Sequence, residues 1–216
     1  MKLPAFLNAC PSRWPLLLLG WVVCAVAQAQ SAPGDDRDGL AQRLKACTAC
    51  HGVTDRVGPD AYYPRIAGKP ASYLLAQMHN FRQGRRHHEA MTGLLLSLEP
   101  GYLSEIAAYF SAQHAPYPAP AAMALDARAL QRGEAVVRRG LPALGVPACV
   151  ACHGQQLAGV APSAVPGLLG LPRNYLTAQL SAWRQGQRRA VAPDCMAEVA
   201  RRLPPDDLTA AVLWLA

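Results

Sequence analysis

Two pentapeptides carry the same reactive residues at the same spacing: Cys47-Thr48-Ala49-Cys50-His51 and Cys149-Val150-Ala151-Cys152-His153. Two thiols three residues apart on a helical turn can reach two groups on one edge of a flat molecule. The imidazole that follows then points at its centre from the same side. This is the C-x-x-C-H pattern of covalent haem attachment, in which the thiols add to the two vinyl groups and a neutral imidazole nitrogen ligates the iron. A zinc site would need four clustered ligands and usually lacks the adjacent His. A thioredoxin-like pair would follow a strand, and no strand pattern precedes either motif. Two covalently bound haem c groups are therefore expected, one on Cys47, Cys50 and His51, the other on Cys149, Cys152 and His153.

The motifs stand 102 residues apart, and the same offset maps Pro64 to Pro166, Gly68 to Gly170, Pro70 to Pro172 and Tyr73 to Tyr175. It continues through Gln77 to Gln179, Phe81 to Trp183 and Gly84 to Gly186. Beyond those glycines the offset becomes 105, pairing Met91 with Met196, Leu98 with Leu203, Pro100 with Pro205 and Leu103 with Leu208. So many matches mean a duplicated domain, with three extra residues before the second Met.

A low-spin electron carrier needs a sixth iron ligand. Met91 and Met196 are the only repeat-matched methionines, and each is expected in a loop. Met1 leaves with the leader, Met78 aligns with Leu180 on an apolar helix face, and Met123 falls in the linker. His87 and His88 lie near Met91 but have no repeat partners and read as solvated loop residues; His79 and His114 read as surface residues. Thioether ligation favours ferrous iron, so two moderately high, unequal potentials are expected. Cys195 has three readings: a thiolate ligand, half of an intermolecular disulfide, or, preferred, a small side chain beside Met196. Each ligand His should donate its other ring nitrogen to a backbone carbonyl, and Pro64 and Pro166, thirteen residues on, are the expected acceptors. Arg85 and Arg188 are candidate propionate contacts, with surface placement favoured.

The elements that must position these groups are helices. Pro70 and Gly84 bracket one, with Tyr73, Leu74, Gln77, Met78 and Phe81 on one face, and Pro172 to Gly186 repeats it. Leu103, Ile106, Ala107 and Phe110 form the stripe of a terminal helix, repeated by Leu208, Ala211, Val212 and Leu215. A further helix leads into each C-x-x-C-H. The fold class is all-α: two tandem cytochrome c-like domains at 30–112 and 126–216, joined by a Pro-stiffened linker at 113–125. Residues 1–29 read as a cleaved signal peptide, with Lys2 and Arg13 before an apolar run from Leu16 to Val26 and a small-x-small site at Ala27-Gln28-Ala29. No second long apolar run follows, so a soluble periplasmic protein is expected.

Aromatics make up only 6% of the chain, a deficit that a large bound cofactor would fill. Formal charge is +7; without the leader it is 19 basic against 14 acidic residues, or +5. No basic run interleaves with aromatics, which argues against a nucleic-acid site.

The sequence resembles the dihaem cytochrome c4 family over nearly all of the mature chain. The resemblance rests on the paired motifs, Tyr63-Pro64-Arg65-Ile66-Ala67-Gly68, Tyr73-Leu74 with Gln77, Phe81-Arg82-Gln83-Gly84-Arg85 with Met91, Ile106-Ala107-Ala108-Tyr109-Phe110, and the stretch from Gly133 to Gly154. It implies two cytochrome c folds packed face to face, His/Met iron in each, and a periplasmic carrier feeding a terminal oxidase or similar acceptor. The chain departs from that pattern at Cys195, at the extra residues before Met196, and at Glu99 and Pro204, where a capping Ser or Thr is usual. A monomeric electron carrier between redox protein partners, a donor and a terminal oxidase or reductase, is the expected function, with loose association to membrane complexes. Two rivals remain: a haem subunit of a larger oxidoreductase complex, and a dihaem oxidoreductase with an exchangeable or Cys-ligated second haem.

Overall fold

The computed structural model describes residues 36–52, 63–114 and 126–216, apart from the side chains of 36–38 and 162. The leader, most of the linker and Met123 lie outside the described residues. The first half contains α1 (Asp36–Arg43), α2 (Lys45–His51), α3 (Ala71–Arg82), α4 (Glu89–Leu96) and α5 (Pro100–Ser111). The second contains α6 (Ala127–Arg139), α7 (Cys149–His153), α8 (Arg173–Arg184), α9 (Cys195–Arg202) and α10 (Pro205–Leu215).

The punctuation that the sequence predicts sets the long helices. Pro70 and Pro172 are the N-caps of α3 and α8, where a missing N–H costs nothing. Beyond the other ends, Gly84 and Gly186 adopt φ of +65° and +70°, a left-handed conformation that glycine takes without a Cβ clash. The predicted stripes are the buried faces: Leu103, Ile106, Ala107 and Phe110 on α5, and Leu208, Ala211, Val212 and Leu215 on α10.

Each half closes on its own apolar core. Leu44, Leu74, Phe81, Leu95, Leu103 and Phe110 belong to the first. Val136, Val137, Val150, Tyr175, Leu176, Leu208 and Val212 belong to the second. Helices α6 and α10 cross closely because Gly133 has no side chain: a Cβ there would stand 2.1 Å from the Ala210 carbonyl oxygen.

Two features depart from the expectation. The second half carries a minimal antiparallel hairpin, β1 (Gly159–Val160) with β2 (Val165–Pro166), paired Gly159 to Pro166 and Val160 to Val165. Two-residue strands are too short to leave an alternating pattern in the sequence. Met91 and Met196 lie in the first turns of α4 and α9, not in loops. Polar residues just before them, His88 and Asp194, cap these helices and let them start so early.

Among the described residues no helix is long and apolar enough to cross a membrane.

Candidate haem sites

Both C-x-x-C-H motifs are helical. The first ends α2, and the second forms all of α7. In each, the inner Cys is half-buried and the outer one exposed, and all four thiols are free of disulfides. Burial pushes the Cys47 thiol up and the Cys149 thiol to about 11. Before attachment these groups are neutral thiols.

The imidazoles are held as the thirteen-residue spacing predicts. His51 Nδ1 lies 2.8 Å from the Pro64 carbonyl oxygen, and His153 Nδ1 lies 2.7 Å from that of Pro166. A carbonyl only accepts, so Nδ1 carries the proton and Nε2 is the nitrogen left to ligate a metal. Burial lowers the pKa of both histidines and keeps them neutral, against the opposing pull of the carbonyl bond. Nearby cations push the same way: Arg86 for His51, and Lys69 for His153.

Met91 is half-buried and packs against the first core. Its backbone N–H donates to His88 Nδ1 at 3.4 Å. The His88 ring also stands edge-on to Tyr63, which in turn touches the His51 ring at a centroid distance of 6.3 Å. His88 is thus a helix cap tied to the His51 side of the site, a role its lack of a repeat partner concealed. Met196 is half-buried in the first turn of α9. Asp194 caps that helix by accepting from Ala197 N–H at 3.1 Å, and it ties down the preceding loop by accepting from Ala190 N–H at 2.6 Å. Cys195 is exposed, with Sγ 3.9 Å from the Pro193 carbonyl oxygen.

The placement of Arg188 corrects the sequence expectation: it is buried, not on the surface. Its partner in the repeat is Arg86, not Arg85. Arg86 donates to Gln77 at 3.1 Å, to Gln179 at 3.0 Å and to Tyr175 at 2.9 Å. Arg188 donates to Gln179 at 2.6 Å, to Gln77 at 3.0 Å and to Tyr73. Each guanidinium therefore binds the glutamine of its own half and the glutamine and tyrosine of the other, a local two-fold arrangement that joins the halves. Arg85 instead binds Asn80 at 2.7 Å, and Gln83. The 102-residue offset, carried two residues past Gly84, would have paired Arg86 with Arg188.

This environment suits haem. The Arg188 guanidinium stacks on the Trp183 ring at 3.7 Å. The Trp183 indole N–H and Arg173 Nε are buried donors without a partner among the described residues. Unpartnered buried donors match the carboxylates that haem carries, while the two neutral imidazoles match its iron.

No protein-family model matches the chain. Among curated proteins, the thiosulfate dehydrogenase electron acceptor of Thiomonas intermedia is 36% identical over 171 residues, 79% of this chain and 77% of that one. Cytochrome c4 of Pseudomonas aeruginosa is 38% identical over 173 residues, 80% of each chain. Among solved structures, reduced recombinant cytochrome c4 from Pseudomonas stutzeri matches with a TM-score of 0.72 at 30% identity, covering 84% of this chain and 98% of that one. Identity at this level over most of both chains, with the same two-domain fold, places the protein in the cytochrome c4 family, as a dihaem electron-transfer protein with haem c bound covalently in both domains.

Proposed function

We propose that this protein is a periplasmic electron carrier whose irons are ligated by His51 with Met91 and by His153 with Met196. Cys47 and Cys50 hold one haem, Cys149 and Cys152 the other. The domains span 30–112 and 126–216, joined at 113–125, and the carrier is monomeric and exported by the leader at 1–29. The observation that carries this proposal is the matched imidazole geometry, one Nδ1–carbonyl bond of about the same length in each half.

Bound haem supplies a one-electron ferric/ferrous couple. The protein does the rest. Pro64 and Pro166 fix the tautomer and orientation of His51 and His153, which leaves Nε2 of each as the nitrogen that would hold the haem iron. The caps on α4 and α9 hold the methionine-bearing turns rigid, which keeps reorganisation small. Gln77, Gln179, Arg86 and Arg188 hold the two domains in one relative position, and so fix the path for transfer between them.

The donor is an oxidising dehydrogenase and the acceptor a terminal oxidase or reductase. Support for the donor class comes from the Thiomonas relative, named as the electron acceptor of thiosulfate dehydrogenase. The same name favours, as a second reading, a dedicated partnership with one such enzyme. Cys195 adds little to a thiol-ligated oxidoreductase, because its sulfur is exposed and faces its own Pro193 carbonyl.

A spectroscopic redox titration with carbon monoxide added to the reduced protein tests the assignment. Two low-spin haems at moderately high potential, a far-red ferric Met–iron band and no carbon monoxide binding are expected. A second haem that binds carbon monoxide, and changes when Cys195 is replaced by Ala, would overturn it.

A further inference from the structure

The joint between the domains is two-fold in its arginines, glutamines and tyrosines but not at Lys69. Lys69 is 6% exposed, and its ammonium crosses from the first domain to donate to the Gly167 carbonyl of the second. Gly167 directly follows Pro166, whose carbonyl holds His153. The 102-residue offset puts Leu171 in the place of Lys69, and Leu171 is a buried member of the second apolar core. The second domain therefore has no ammonium to offer the first in return. Arg65, buried beside Lys69, likewise maps to Gly167, which has no side chain.

We propose that Lys69 is a positioning residue of the electron-transfer site: it anchors the Gly159–Leu168 segment that orients His153, and its charge raises the potential of the second haem selectively. The anchor is local. Gly159 and Gly167 are in such close contact that a Cβ on Gly159 would stand 2.5 Å from the Gly167 nitrogen. Leu168 N–H bonds back to the Leu157 carbonyl at 2.8 Å. A hold on the Gly167 carbonyl is thus a hold on the turn that carries Pro166. The charge also stands close to the imidazole, because the carbonyl that takes the ammonium directly follows the one that accepts from His153. A buried cation disfavours added positive charge near it, so it favours ferrous over ferric iron.

This inference rests on His153 as the axial ligand of the second haem, and the experiment separates the two. Redox titrations of the full-length dihaem protein are compared with those of Lys69→Met and Lys69→Arg. Met196→His, made in each background, identifies the second haem as the one whose potential it displaces. In Lys69→Met the second potential should fall and the first stay in place, with low-spin His/Met spectra retained at both haems. Lys69→Arg should restore most of the shift. Unchanged potentials in Lys69→Met, equal shifts at both haems, or a fall in Lys69→Arg as large as in Lys69→Met would each overturn the role of Lys69 while leaving the ligand assignment standing. An unmutated protein whose second haem lacks histidine ligation in its spectrum would overturn both.

Discussion

Met91 and Met196 occupy matched places in the two domains, yet the helices that carry them share little else. Helix α4 reads Glu-Ala-Met-Thr-Gly-Leu-Leu-Leu, and its Leu94 and Leu96 are half or more exposed. Helix α9 reads Cys-Met-Ala-Glu-Val-Ala-Arg-Arg, with Glu198 bridging Arg201 at 2.9 Å and Arg202 at 3.4 Å. Tyr63 touches His51 in the first domain, while Val165 of β2 stands at that repeat position in the second. At the same repeat offset Trp183 stands in the place of Phe81, and Leu171 in the place of Lys69. The duplication has kept the C-x-x-C-H motifs and the methionines proposed as ligands, and has let the surroundings diverge. With the proposed ligation, two sites with the same ligands in different dielectric and charge environments should have different potentials.

The largest effect should come from removing the attachment chemistry of one domain. Replacing both Cys149 and Cys152 with Ala should leave a protein whose intact mass and haem stain show one covalent haem. The Cys47→Ala, Cys50→Ala pair should do the same from the other side. Because each domain has its own core, the untouched haem should keep its spectrum. Loss of both haems from either variant would break the picture of two domains that fold and load separately.

Next in size is the ligand exchange. Met91→His and Met196→His should each lower one potential by about 0.2–0.4 V, within the roughly 0.8 V range that axial ligands command. Potentiometry of the two variants would also show which domain holds the higher potential in the parent. A drop in both potentials from one substitution would mean that the sites are far more tightly coupled than their separate cores suggest.

The domain joint comes third. Arg86→Met and Arg188→Met each remove a guanidinium that serves Gln77 and Gln179 together. Each change removes charged hydrogen bonds to two part-buried glutamines, which keep the other guanidinium, and costs about 1.5–3 kcal/mol. Two-fold geometry predicts similar losses in thermal unfolding from either change. A much larger loss from Arg188→Met would show that its stacking on Trp183 outweighs the shared hydrogen bonds.

What the sequence discloses and what it hides follow the same division between domains and surroundings. The stripes on α5 and α10, the proline and glycine ends of α3 and α8, and the carbonyls of Pro64 and Pro166 are all legible, because each rests on period, spacing or a backbone requirement. The joint was not. Arg86, Arg188 and Lys69 are charged residues that a sequence places on the surface by default, and only packing between domains shows them buried. The caps at His88 and Asp194 were hidden for a different reason: the methionines they precede suggested loops, and histidine is not among the common capping residues.

The smallest expected effect separates those two caps. Asp194 accepts two bonds, 2.6 and 3.1 Å long, from N–H groups on either side of Met196, whereas His88 accepts one of 3.4 Å. Asp194→Ala should therefore cost about 1 kcal/mol of stability, near the usual value for a lost N-cap, and His88→Ala only a few tenths. The difference should also appear at the iron. A frayed first turn in α9 lets Met196 leave more readily, so the far-red band of the second haem should fade at a lower temperature in Asp194→Ala than in the parent protein. His88→Ala should leave the band of the first haem almost unmoved, because Met91 is also held by packing against the first core. Equal loss of the band from both variants would mean that the two methionines depend equally on their caps, and that the packing around Met91 contributes nothing to its hold on the metal.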